Sequence, residues 1–177
     1  RHHTANVMDV KCKNQHSRLR HGPLRVYARR QTCPAKKEFP MKTALVTGSS
    51  GFIGYFVADA LLRAGWEVIG VDSMSDYYDV SLKQSRLDLL EAHSAFTNVR
   101  AEVQEQGLLT RLFAQHQPEI VIHSAAQAGV RYSLENPMSY CQTNLGGTLQ
   151  LLEAARAHPS KHMLMASSSS AYGANTQ

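Results

Sequence analysis

From residue 41 onward, short runs of strand length alternate with segments in which apolar residues recur every three to four positions. Lys42–Val46 reads as a strand. After it, Phe52, Ile53, Phe56, Val57, Ala60 and Leu61 form one apolar stripe at helical spacing, closed by Gly65 as a C-cap. Glu67–Val71 predicts a second buried strand. A polar loop with two tyrosines, Ser73–Val80, leads to a helix over Ser81–His93 carrying Leu82, Leu87, Leu89 and Leu90. Asn98–Val103 predicts a third strand. Leu108, Leu109, Leu112 and Phe113 mark a helix that Pro118 ends, and Ile120, Val121 and Ile122 place a fourth strand over Glu119–His123. Pro137 suits the first turn of a long helix, which continues through Leu145, Leu149, Leu151, Leu152 and Ala155 to about His158. His162–Ala166 predicts the fifth strand. This alternation predicts an α/β fold with a doubly wound parallel sheet.

Such sheets bind ligands outside the carboxyl ends of their strands. The segments to inspect are therefore Gly48–Gly54, Asp72 and Ser73, Glu102 and Val103, Ser124–Gly129, and Ser167–Ser170. The first reads TGSSGFIG from Thr47, between a strand and a helix. Glycines at 48, 51 and 54 permit a tight turn, close backbone approach to a pyrophosphate, and close packing of helix on strand. The helix's free N–H groups and positive end face the anion. Asp72 ends the second strand twenty-four residues after Gly48, where a carboxylate accepts from an adenosine ribose 2′-hydroxyl. It would repel a 2′-phosphate, so NAD is expected over NADP.

The chain has 177 residues and a net charge of +5, unevenly divided. Residues 1–40 hold ten Lys or Arg against Asp9 and Glu38, giving +8; residues 41–177 hold nine against twelve acids, giving −3. The basic character thus belongs to the first segment, and no nucleic-acid partner is expected of the folded part. Residues 1–40 show no apolar periodicity and include Gly22, Pro23, Pro34 and Pro40, which predicts disorder. Met41 directly precedes the first strand and can serve as the start, with the first forty residues an upstream extension of the reading frame. A transit peptide fits the arginines, but Ser17 is the only serine among them.

Cys12, His16, His21 and Cys33 lack the paired spacing of a zinc site, so no metal is expected. Cys141 falls in a helical pattern and reads as a small core side chain. Three cysteines without a pairing pattern suggest a reducing compartment, and no window reaches the length of a membrane span. The expectation is a soluble cytoplasmic domain with no membrane contact.

TGSSGFIG, VDSMSDYYDVSLKQSRL from Val71, HSAAQAGVRYSLENP from His123, and SSSSAYG from Ser167 together resemble the NAD-dependent epimerase/dehydratase family of extended short-chain dehydrogenase/reductases, which has a Rossmann-type sheet. Within it the resemblance is strongest to UDP-glucuronate 4-epimerases. It covers residues 41–177, the expected NAD-binding domain. It implies a bound NAD that oxidises the sugar's C4 hydroxyl and returns the hydride to the opposite face, a UDP-sugar substrate, and a homodimer in the full-length form.

Carried over by motif, the resemblance implies that Gly48, Gly51, Phe52, Ile53 and Gly54 hold the pyrophosphate, and Asp72 and Ser73 the ribose. Glu102 and Val103 would border the adenine, with Glu102 in place of the family's usual Asp. Ala125, Ala126 and Gln127 would line the nicotinamide side, supported by Asn144. Ser168 would be the triad hydroxyl, able to bond both the sugar oxygen and the base. Ser169 and Ser170 stand where dehydratases of the family carry Asp and Glu, which disfavours dehydration and leaves hydroxyls for a sugar carboxylate. Arg131 can meet a substrate carboxylate or phosphate through its forked donors, or stand as a solvated loop arginine.

The family's base is a tyrosine four residues before a lysine, whose charge lowers the phenol pKa. None of the seven tyrosines here has that lysine. The expectation is an N-terminal fragment, inactive alone, of a UDP-sugar 4-epimerase. The alternatives are a non-catalytic NAD-binding module or another sugar-nucleotide enzyme of the family, such as a UDP-glucose 4-epimerase.

Overall fold

The computed structural model describes residues 41–168, 171 and 173. Five parallel strands form one sheet in the order β3-β2-β1-β4-β5: β1 Thr43–Thr47, β2 Glu67–Asp72, β3 Phe96–Arg100, β4 Ile120–His123 and β5 His162–Met165. Helices α1 Phe52–Arg63, α2 Val80–Glu91 and α3 Leu108–His116 connect the first four strands, each in turn. The expected doubly wound sheet is present.

Side-chain alternation along β1 divides the core. Ala44 and Val46 pack with Val68, Ala58, Leu62 and Leu90 on one face; Leu45 packs with Ile69, Val121, Leu109, Phe113 and Leu151 on the other. Parallel strands between two helical layers need apolar residues on both faces, and the central strand β1 is buried throughout.

α1 ends as its sequence predicts. Gly65 takes φ +81°, its N–H donates to Leu62 O at 3.0 Å, and Trp66 N–H reaches Leu61 O at 3.1 Å, a Schellman ending. The expected stripe is corrected, however. The face turned inward is Gly54, Ala58 and Leu62, while Phe52, Ile53 and Phe56 are 67%, 61% and 56% exposed. Small residues win that face because the helix must lie close to β1.

In α2, Leu87 and Leu90 are buried as expected, but Leu82 and Leu89 are exposed and Lys83 takes an inward position. β3 begins two residues before the predicted start and stops at Arg100. The expected single helix from Pro137 is several pieces. Asn136 caps it by accepting from Ser139 N–H at 3.2 Å, with Pro137 in the first turn. α5 Pro137–Tyr140 then runs into π-helical turns over Cys141–Gly146 and on into α6 Gly147–Ala157. A short helix that the sequence did not predict, α4 Val130–Glu135, precedes it. Leu151 and Ala154 face the core, whereas Leu145, Leu149 and Leu152 are exposed. Cys141 is also exposed, so its expected core role is corrected.

Candidate functional site

The chain leaves β1 through a turn built on Gly48, whose φ of +72° is accessible to glycine at little cost. Gly48 N–H donates to Val71 O at 2.7 Å and Gly48 O accepts from Gly51 N–H at 3.0 Å, so the turn is tied to β2 and to the start of α1. A Cβ on Gly48 would stand 2.9 Å from Ala125 N, and one on Gly54 would strike Gly48 O. The glycines are thus required by close approach of three backbones. α1 opens with no side-chain cap, which leaves the N–H groups of its first turn, on Phe52, Ile53 and Gly54, directed out of its N-terminus.

Asp72 ends β2 with a buried carboxylate. Its Oδ2 accepts from Ser50 N–H at 2.9 Å and its Oδ1 from Met74 N–H at 2.8 Å. Met74 sits at φ +56°, unusual for a non-glycine residue, and this bond accompanies that geometry. One carboxylate therefore fixes both the glycine turn and the loop after β2. Each oxygen keeps a further lone pair, and Asp72 lines the adjoining cavity.

That cavity has a volume of about 300 Å³ and lies along the carboxyl ends of β1 to β4. Gly48, Gly51, Asp72, Ser73, Glu102, Val103, Ala125, Ala126 and Gln127, all expected at the site, line it together. The sequence reading missed Lys83, which also lines it while only 5% exposed. Its ammonium donates to Ser75 O at 2.8 Å and Ser75 Oγ at 3.0 Å, and lies 4.5 Å from the Tyr78 ring centroid. Burial lowers the Lys83 pKa, and the charges of Asp72 and Asp76 oppose that shift. It shares the inward face of α2 with Leu87 and Leu90, where a charged side chain gives no apolar signal.

On the β4 side, Thr47 joins two loops. Its hydroxyl lies 2.7 Å from His123 Nδ1 and accepts from Ala125 N–H at 3.2 Å, while Ser124 Oγ donates to Thr47 O at 2.6 Å. His123 is buried, and desolvation lowers its pKa. Asn144, in the π-helical turns, accepts from Gln127 N–H at 2.8 Å and donates to Gln127 O at 3.1 Å. It holds Gln127, one of the residues lining the cavity.

Phe52, Ile53 and Gly54, also expected at the site, are not among the residues lining the cavity. Arg131 stands exposed on α4 and is not among the lining residues. Ser168 is exposed after β5, its carbonyl accepting from Ala171 N–H at 3.1 Å. Ser169, Ser170, Tyr172 and residues 1–40, with Cys12, His16, His21 and Cys33, lie outside the described residues. Among the described residues no group of three or more His, Cys, Asp and Glu is placed to hold a metal, and no helix is long and apolar enough to cross a membrane.

The cleft fits a dinucleotide. Three closely packed backbones, a helix N-terminus without a side-chain cap and a carboxylate with spare lone pairs are the donor and acceptor set that a pyrophosphate and a ribose diol need.

Residues 45–177 match a family model described as GDP-mannose 4,6 dehydratase. A probable UDP-glucuronate 4-epimerase of Rhizobium meliloti is 48% identical over 131 residues, which is 74% of this chain and 38% of the relative. UDP-glucuronate 4-epimerase 2 of Arabidopsis thaliana is 47% identical over 136 residues, 76% of this chain and 31% of the relative. The chain therefore spans about two-fifths or less of these relatives' length. The UDP-glucuronic acid 4-epimerase of Bacillus cereus, solved with UDP-glucuronic acid and NAD, superposes with a TM-score of 0.70 at 32% identity, covering 76% of this chain and 43% of that one. The UDP-glucose 4-epimerase of Thermotoga maritima, solved with UDP-glucose, gives 0.64 at 34% identity over 76% and 41%.

Proposed function

The chain belongs to the GDP-mannose 4,6 dehydratase family, and from that premise we propose that it is the N-terminal, NAD-binding part of a UDP-sugar 4-epimerase converting UDP-glucuronate to UDP-galacturonate. The observation that carries this is the joint engagement of the Gly48–Gly54 turn and the Asp72 carboxylate at one cavity. Likeness to UDP-glucuronate 4-epimerases at 48% and 47% identity supports the sugar.

NAD supplies the hydride acceptor and donor for a transient 4-keto sugar. The first-turn N–H groups of α1 hold the pyrophosphate, and Asp72 accepts from the adenosine ribose hydroxyls while excluding a 2′-phosphate by charge. Ser73 borders the ribose, and Glu102 and Val103 border the adenine. Ala125, Ala126 and Gln127, held by Asn144, position the nicotinamide side. Ser168 hydrogen-bonds the reacting sugar oxygen. Serines at 169 and 170 cannot perform the acid–base step that eliminates water, which favours epimerisation over dehydration, and with Arg131 they meet the sugar carboxylate.

The 177 residues hold no Tyr-x-x-x-Lys pair. By themselves they bind the cofactor and lack the tyrosinate base, so no turnover of UDP-glucuronate is expected of them. Exposed Leu145, Leu149 and Leu152 support a homodimer of the full-length form, and the unpatterned cysteines support a cytoplasmic setting.

Calorimetric titration of the chain with NAD and with NADP tests the cofactor. Saturable NAD binding with markedly weaker NADP is expected, and equal affinity would overturn the role of Asp72. Sequencing beyond codon 177 tests the enzyme, since an in-frame Tyr-x-x-x-Lys within about forty residues is expected of this family. A stop codon there would leave a non-catalytic NAD-binding module. On the completed protein, equal turnover of UDP-glucose and UDP-glucuronate would defeat the sugar assignment.

A further inference from the structure

The loops that follow β2 and β4 touch one another at the cavity. β1 lies between those strands, so the two loops flank the Gly48–Gly54 turn and their contact closes a ring of chain around it. Tyrosines make the contact. Tyr77, in the loop after β2, sets its ring 4.8 Å from that of Tyr132 on α4, tilted by 47°. Its hydroxyl reaches the backbone of Gly129 so closely that a Cβ there would collide with it. Gly129 also holds φ +99°, so this position requires glycine both for space and for backbone geometry. Tyr140 also donates its hydroxyl to Gly129 O. Tyr77 faces the cavity, as do Ala128 beside Gly129 and Gly48 and Gly51 in the enclosed turn.

We propose that Tyr77 is a positioning residue that, with Gly129, Tyr132 and Tyr140, straps the two loops together across the phosphate turn and slows both capture and release of the dinucleotide. This rests on the reading of the cleft as an NAD site. A reaction without net redox change regenerates its own cofactor at each turnover, so a barrier to exchange costs no throughput. Because the strap joins two protein segments, it has to open in both directions of exchange. A residue that merely stacked on bound adenosine would slow release alone. The two roles therefore separate in kinetics even where affinity does not distinguish them.

The test is stopped-flow binding of NADH to the 177-residue chain, followed by its cofactor fluorescence, for the wild type, Tyr77→Ala and Tyr77→Phe. Tyr77→Ala is expected to raise the association and dissociation rates together by about three- to tenfold, the range that one aromatic pair carries. Tyr77→Phe keeps the ring contact and is expected to stay within about twofold of the wild type. Unchanged release in Tyr77→Ala, or faster release with unchanged association, overturns the strap. A wild-type chain that binds no NADH overturns the cofactor reading and the strap's role with it, whereas binding with unaltered Tyr77→Ala kinetics overturns the strap alone. Hydrogen exchange of the ligand-free chain checks the contact itself: residues 129–132 are expected to exchange faster in Tyr77→Ala, and unchanged exchange overturns the contact.

Discussion

Asn144 grips Gln127 at both its backbone polar groups, accepting from its N–H at 2.8 Å and donating to its carbonyl at 3.1 Å. A side-chain amide pairing this way substitutes for a neighbouring strand, and it holds the loop after β4 at the edge of the cavity. The π-helical turns over Cys141–Gly146 carry Asn144.

Asn144→Ala removes both bonds and leaves two backbone groups to find water, at a cost of about 1–2 kcal/mol. The expected result is a lower melting temperature with faster hydrogen exchange at Gln127. Asn144→Asp keeps the acceptor but sets a carboxylate against Gln127 O, so it is expected to restore less than half of the loss. Full restoration by Asp would show that only the N–H bond matters.

Gly54 in the first turn of α1 and Gly65 just beyond its end provide a paired comparison. A Cβ on Gly54 meets Gly48 O, a backbone atom that cannot move without opening the phosphate turn. Gly54→Ala is therefore expected to abolish NAD binding and to cost stability well beyond a propensity effect. At Gly65 nothing lies within 4 Å, and only the φ of +81° resists substitution. Gly65→Ala is expected to cost about 1 kcal/mol in chemical denaturation and to leave NAD affinity unchanged. Equal effects on affinity at the two positions would contradict the close-approach explanation.

The positions of the strands, the parallel sheet and most of the cavity lining were legible in the sequence, because buried parallel strands are short apolar runs and tight turns between strand and helix require glycine. The inward face of α1 was not. Close helix–strand packing selects Gly54 and Ala58, which hydrophobicity ranks below Phe52, Ile53 and Phe56. Lys83 was missed because a lysine at an inward helical position carries no apolar signal, and its burial depends on Ser75 and Tyr78 in a loop whose path Asp72 and Met74 set. The π-helical turns leave no compositional trace either, being a change of backbone hydrogen bonding within continuous helix-like geometry.

Asp72 fixes two loops, and its proposed role in choosing the cofactor is read by a second measurement on the same variant. Asp72→Asn retains one acceptor oxygen and presents N–H groups to the N–H of Ser50 or of Met74. It is expected to lower stability by about 1–3 kcal/mol, the scale of a charge-assisted hydrogen bond. It also removes the negative charge facing a 2′-phosphate. Titration with both cofactors is expected to show NAD affinity falling at least about tenfold and the NAD-to-NADP preference shrinking. A preference that stays intact would move the discrimination to another residue.

His123 should make stability depend on pH in a direction its surroundings fix. The Thr47 hydroxyl lies 2.7 Å from His123 Nδ1, and burial of the ring favours the neutral imidazole. Burial lowers the pKa below the ordinary 6.5, so the unfolded chain binds this proton more readily than the folded one. The contribution is then complete above pH 6.5 and is lost as pH falls from there toward the depressed folded value. His123→Asn keeps a group able to hydrogen-bond the Thr47 hydroxyl but does not titrate. At pH 8 it is expected to be less stable than the wild type by about 1–2 kcal/mol, through lost packing and an altered hydrogen bond. As pH falls below 6.5 the wild type loses stability that the variant never had, so the gap between their denaturation midpoints should narrow. A gap that stays constant from pH 8 to pH 5 would mean that the imidazole does not stay neutral in the folded chain.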